Sequence, residues 1–211
     1  MKNGLDSFVK KIKSNFSIGE PIFPKEILAL FSFSRQQVYS YLKEAIKLNQ
    51  LKKVDDYYYI PKYENIYGVK IDNKPTYEAI VNKKYLGNNE NVLGIYSGRT
   101  LENKLNISEQ VPYTEEIVSN NVKVHIKKIS INNINVILRK PYIKITNENR
   151  REYILLQLLS DIENEMLSEK KNIIKIYINE SGLSKKKALS LSENFPLKTR
   201  KRLREVIDEK R

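Results

Sequence analysis

Apolar and polar positions between Phe23 and Pro61 follow two different periods, and the change of period delimits the elements. Ile27, Leu28, Leu30 and Phe31 give a short helix one apolar face. Pro24 opens it, at the first helical position, where the missing N–H has no partner to lose. Ser32-Phe33-Ser34 breaks the pattern, and Ser34 is placed to cap a second helix. Val38, Leu42, Ala45 and Ile46 then fall at i, i+4, i+7 and i+8, the spacing of a helix with one buried stripe. Leu51 to Val54 and Tyr57 to Ile60 are β-prone, Asp55-Asp56 joins them as a two-residue turn, and Pro61 stops the second strand. A short helix, a tight turn, a longer helix and an immediate hairpin predict a winged helix-turn-helix.

On either side the pattern predicts further elements. Asp6 to Phe16 reads as an opening helix with Phe8, Val9, Ile12 and Phe16 on one side. A polar passage over 63–75, containing Gly68, reads as a linker. Thr76 to Leu86 returns to helical spacing, and Val92 to Tyr96 is a short apolar strand that Ser97-Gly98 turns into a helix through Leu101 and Leu105. Glu116 to Ser119, Val122 to Ile131 and Asn135 to Leu138 read as strands, with Asn132-Asn133 as a hairpin turn. Helices are expected over Tyr153 to Leu167, Ile173 to Ile178, Lys185 to Asn194 and Leu197 to Ile207. The expected fold class is therefore α+β: a winged helix-turn-helix over 1–62, a linker, and a mixed α+β domain over 76–211 whose tail from about 150 is helical.

Composition narrows the function. The 211 residues carry a formal net charge of +13 and no cysteine, with His125 the single histidine, so disulfides and Cys- or His-based metal sites are not expected. Residues 1–62 hold 11 basic and 6 acidic groups, residues 63–150 hold 13 and 9, and residues 151–211 hold 14 and 10. The excess is spread evenly, so charge favours a nucleic-acid partner without locating it. The polar face of the longer helix locates it better. Arg35, Gln36, Tyr39, Ser40, Lys43 and Lys47 carry donors and acceptors suited to base edges and phosphates, and Lys52 and Lys53 suit phosphates at the base of the hairpin. Tyr41 falls nearer the buried stripe. Lys198, Arg200, Lys201, Arg202 and Arg204 form a secondary basic patch in the tail.

Ser34-Arg35, Leu42 and Tyr57-Tyr58-Tyr59-Ile60-Pro61, together with Ser97 to Asn121 and its Gln110-Val111-Pro112, resemble the AbiEi-like antitoxins of type IV toxin–antitoxin systems. The resemblance spans roughly residues 5 to 165. It implies a transcriptional autorepressor that binds inverted repeats in its own promoter and neutralises a toxin of the nucleotidyltransferase type through its second domain. Wings of that family often have a Gly-rich, basic tip, whereas this tip is Asp55-Asp56, which phosphates would repel.

Catalysis has little support in the chain. His125 sits in an alternating stretch with no nucleophile beside it, and Ser97-Gly98-Arg99 lacks the lysine and glycine spacing of a phosphate loop. No enzyme activity, cofactor, metal or membrane span is expected, and a cytoplasmic location is the corresponding expectation. Two other readings stay open: a stand-alone DNA-binding regulator, and an interaction module whose winged domain meets protein and never DNA.

Overall fold

The computed structural model describes residues 2–207, without the side chains of residues 2, 3 and 70. The protein is a mixed α+β chain that divides into two compact units, Met1–Ile80 and Val81–Arg211.

In the first unit, helices α1 (Lys2–Asn15), α2 (Pro24–Leu30) and α3 (Arg35–Lys47) precede a hairpin of β1 (Lys52–Val54) and β2 (Tyr57–Tyr59). Phe8, Val9 and Ile12 of α1 meet Ile27 of α2, Val38, Leu42 and Ala45 of α3, and Leu51, Tyr58 and Ile60 in one core. The predicted stripe is thus the buried one. Ile22 pairs antiparallel with Tyr58 through two backbone hydrogen bonds of 2.7 and 2.8 Å, which adds a third short rung beside β2.

The passage expected as a linker over 63–75 contains a second hairpin, β3 (Tyr63–Ile66) and β4 (Val69–Asp72). Its polar composition hid two short β-prone runs. Tyr67 and Gly68 form the two-residue turn, both with positive φ (+50° and +80°), the geometry that matches strand twist and that Gly68 adopts without strain. Tyr67 has no such freedom, which is why this turn carried no local signature.

Asp72 ends β4 and ties it to the first hairpin: Lys52 Nζ donates to Asp72 Oδ2 at 2.5 Å and Tyr59 Oη donates to the same oxygen at 2.8 Å. Burial alone would raise the Asp72 carboxyl, but the hydrogen bonds from Lys52 and Tyr59 bring it below the usual carboxylate range. A depressed folded-state value means that the stabilisation is present above the unfolded value of about 3.9 and is lost as pH falls through the folded one. Asp72→Asn is therefore expected to flatten the loss of first-unit stability below about pH 4, read as denaturant midpoints across an acid series. An unchanged acid limb would mean that the contact does not persist in solution.

The first unit ends in α4 (Tyr77–Val81), and the second begins as the chain runs on over Asn82–Leu86 in a wider π-turn closed by Gly87 N–H donating to Asn82 O at 2.7 Å. Next come β5 (Gly94–Tyr96), α5 (Gly98–Lys104), β6 (Thr114–Ser119), β7 (Ile126–Ile131) and β8 (Ile134–Arg139). The sheet order is β5-β6-β8-β7, parallel between β6 and β8 and antiparallel elsewhere. Asn132 and Asn133 both take positive φ (+48° and +65°), the hairpin turn that their residue type suggested. The strand expected over Val122 to Ile131 begins only at Ile126. Its partner β8 ends at Arg139, and Pro141 two residues later has no N–H to extend the ladder.

Helices α6 (Arg150–Asp161), α7 (Asn164–Glu169), α8 (Lys171–Glu180), α9 (Lys185–Ser192) and α10 (Leu197–Ile207) complete the unit. Tyr153, Leu155, Leu156, Leu158 and Leu159 of α6 lie at the centre of its core. The single helix expected over Tyr153 to Leu167 is two, parted at Ile162, whose backbone is extended (ψ 141°). Among the described residues no helix is long and apolar enough to cross a membrane.

Candidate nucleic-acid interface

Helix α3 begins at Ser34, whose Oγ accepts a hydrogen bond from the Gln37 N–H at 3.3 Å, the N-cap its position predicted. With Val38, Leu42 and Ala45 held in the core, the opposite face is fixed in space. Gln36, Ser40, Lys43 and Lys47 recur at i, i+4, i+7 and i+11 and are all exposed. At 3.6 residues per turn they fall within about 60° of one another, a single polar stripe.

Arg35 and Tyr39 flank that stripe. The Arg35 guanidinium carbon stands 5.6 Å from the centre of the half-buried Tyr39 ring, which limits the rotamers open to the arginine. Tyr41 turns to the other side, its ring 5.2 Å from Phe8 and 5.8 Å from Phe33, and packs on the core as expected. Glu44 is the one carboxylate on α3; it accepts from Lys47 Nζ at 2.7 Å and takes up part of that lysine's charge. Lys43 is the cation on the stripe with no acid drawn to it in an ion pair among the described residues.

At the first hairpin the two lysines separate. Lys53 is exposed, its Nζ 6.0 Å from the Tyr58 ring centre, and is available to a phosphate. Lys52, expected to play the same part, is half-buried and directed at Asp72; that hydrogen bond raises its pKa above the ordinary lysine value. Lys52 thus joins two hairpins. Asp55 and Asp56 at the tip are exposed, and Asp55 takes a positive φ of 46°.

The tail patch is smaller than its sequence suggested. Arg202 is 4% exposed and points inward, where Nη1 donates to Leu159 O and Ile162 O at 2.8 Å each and Nη2 donates to Asn164 Oδ1. It caps the carboxyl end of α6 and is no part of a surface. Arg200 is half-buried, its Nε enclosed without a hydrogen-bond partner among the described residues. Lys198, Lys201 and Arg204 remain exposed on α10, with the exposed Glu205 among them.

Sequence reasoning did not find the cluster that the second unit assembles. Arg99 and Glu102 of α5, Glu116 of β6 and Glu163 before α7 line one cavity of about 530 Å³ beneath the loop Gln110–Tyr113. Only the fold brings them together, because they are spread over more than sixty positions and share no motif. His125 is exposed on the chain just before β7. No protein-family model matches the chain, and no curated protein matches it.

Proposed function

We propose that this protein is an antitoxin-type transcriptional autorepressor. In this reading the first unit is a winged helix-turn-helix that binds inverted repeats in its own promoter through α3. The observation that carries it is the stripe Gln36, Ser40, Lys43 and Lys47, flanked by Arg35, on a helix whose other side is locked into a core. Glutamine and arginine form bidentate pairs with adenine and guanine in a major groove, and lysine holds phosphates. The acidic tip Asp55-Asp56 supports docking by the helix without insertion of the hairpin tip.

Neutralisation of a nucleotidyltransferase-type toxin by the second unit is the other half of the proposal. It is supported by the resemblance of Ser97 to Asn121, with Gln110-Val111-Pro112, to the antitoxin family.

The deciding measurement is an electrophoretic mobility shift with the DNA upstream of the gene against a scrambled duplex, across a salt series. Preference for the upstream DNA, with affinity falling steeply as salt rises, is the expected result. Equal affinity for both duplexes would end the repressor reading. The exposed Ile66, Tyr67 and Val69 of the second hairpin favour a second reading, a module that meets protein, for which duplex association would be weak and insensitive to salt.

A further inference from the structure

We infer that the cavity beneath the Gln110–Tyr113 loop is a receptor for a guanidinium group presented by a polypeptide partner. The inference rests on the second unit alone and stands whether or not α3 meets DNA. Glu102 is the central observation. It is 9% exposed and lines the cavity, yet its carboxylate has no hydrogen-bond or ion-pair partner among the described residues. An ionised group so enclosed is costly unless paired.

Its neighbours differ. Asp161 accepts from the Gly98 N–H at 2.9 Å and from Gln157 Nε2 at 2.8 Å, and Glu116 accepts from Arg139 Nη2 at 2.9 Å. Those two carboxylates are occupied. Arg99, the cation lining the cavity, reaches outward to the exposed Glu163 at a loose 3.8 Å and makes no ion pair with Glu102. The lining therefore carries three carboxylates against one arginine, and its innermost carboxylate is the unpaired one.

The approach of α5 to β6 also fixes this wall. Gly98 has a φ of +53°, which glycine adopts without strain, and a Cβ there would fall 2.2 Å from Glu116 Oε1, so a side chain at this position would have to displace the Glu116 carboxylate.

The rim sets the ligand class. Val111 and Tyr113 are 84% and 89% exposed, an apolar surface and an aromatic face at the mouth of an acidic cavity. A guanidinium is planar, weakly hydrated and doubly hydrogen-bonding, so it stacks on a tyrosine and pairs with a carboxylate in one pose; an ammonium is a compact, strongly hydrated point charge. Phosphate-bearing ligands are repelled by the three carboxylates. Among the described residues no group of three or more His, Cys, Asp or Glu is arranged to hold a metal ion.

Burial pushes the Glu102 carboxyl up, the Asp161, Glu163 and Glu116 charges push the same way, and Arg99 opposes them. Binding of a cation therefore favours the ionised form of Glu102, and affinity falls as pH drops through the range in which that carboxyl takes up a proton.

The test uses the full-length protein, isotopically labelled, titrated with the blocked tripeptide acetyl-Gly-Arg-Gly-amide and followed by amide chemical shifts. Saturable shifts confined to residues 99–102, 110–114 and 116 are expected. The neutral isostere, with citrulline for arginine, should produce none, and the lysine peptide should bind at least threefold more weakly. Glu102→Gln is expected to weaken the arginine peptide at least tenfold. Tyr113→Ala, at an exposed position that the fold does not need, is expected to weaken it at least threefold. Shifts that are absent, diffuse, or equal for citrulline or lysine would overturn the inference. So would full affinity in Tyr113→Ala, whatever becomes of the Glu102→Gln fold.

Discussion

Replacing Arg202 with methionine is expected to destabilise the second unit by about 3–5 kcal/mol, since three neutral acceptors would each lose their donor at roughly 1–3 kcal/mol apiece. The Leu159 and Ile162 carbonyls and the Asn164 side-chain oxygen all accept from this guanidinium, and α6 ends where it does because those groups are satisfied there. Methionine fills the space but donates nothing. Buried carbonyls are then left without partners, and the extended break at Ile162 loses its reason to exist. Thermal unfolding should shift down by roughly 10–20 °C for a unit of this size. Lys201→Ala and Arg204→Ala, on the exposed side of the same helix, should stay within about 0.5 kcal/mol of the parent. Equal, small effects at all three positions would show that Arg202 is a surface residue after all.

Arg35→Ala combined with Gln36→Ala is expected to remove most preference for the upstream DNA. Each bidentate base contact is worth about 1–3 kcal/mol of discrimination, so the pair should cost the preference roughly thirtyfold or more. Both side chains are exposed, and thermal unfolding should be unchanged. Lys43→Ala should behave differently, weakening both duplexes alike and lowering the salt slope by about one. If the double variant keeps its preference while Lys43→Ala loses affinity, α3 contacts backbone and another element reads the bases.

The first unit was legible because its signals are local. Pro24, the Ser34 cap, the stripe of Val38, Leu42 and Ala45, and the two-residue turn at Asp55 each act within one or two turns of chain, and each element formed where its pattern placed it. The β3–β4 hairpin was hidden because its strands are only four residues long and its turn begins with a tyrosine in a conformation that tyrosine rarely adopts. What escaped in the tail was long-range. Arg202 reads as one more cation in a charged run, and nothing within its helix announces that it points at carbonyls about forty residues back.

The candidate sites divide in the same way. The α3 face follows from periodicity alone, since the buried positions of a helix dictate its exposed ones. Lys52 was misplaced because its partner Asp72 lies on a hairpin that the pattern did not reveal. The Glu102 cavity was invisible because its residues come from a helix, a strand and a loop that only the folded sheet brings together.

The order of strands in that sheet also carries a sequence of events in time. β7 and β8 are joined by the two-residue turn Asn132-Asn133, so they can pair by local closure within about 1–10 μs. β6 lies parallel to β8 with all of β7 between them in the chain, and such pairing waits on the closure of a longer loop. Asn133→Gly, which relieves a left-handed residue in the turn, should accordingly raise the folding limb of a denaturant chevron and leave the unfolding limb in place. A change confined to the unfolding limb would put the hairpin after the barrier. Because Glu116 arrives with β6, the acidic cavity can be complete only at the end of folding, and partly folded chains would carry no receptor for a cationic partner.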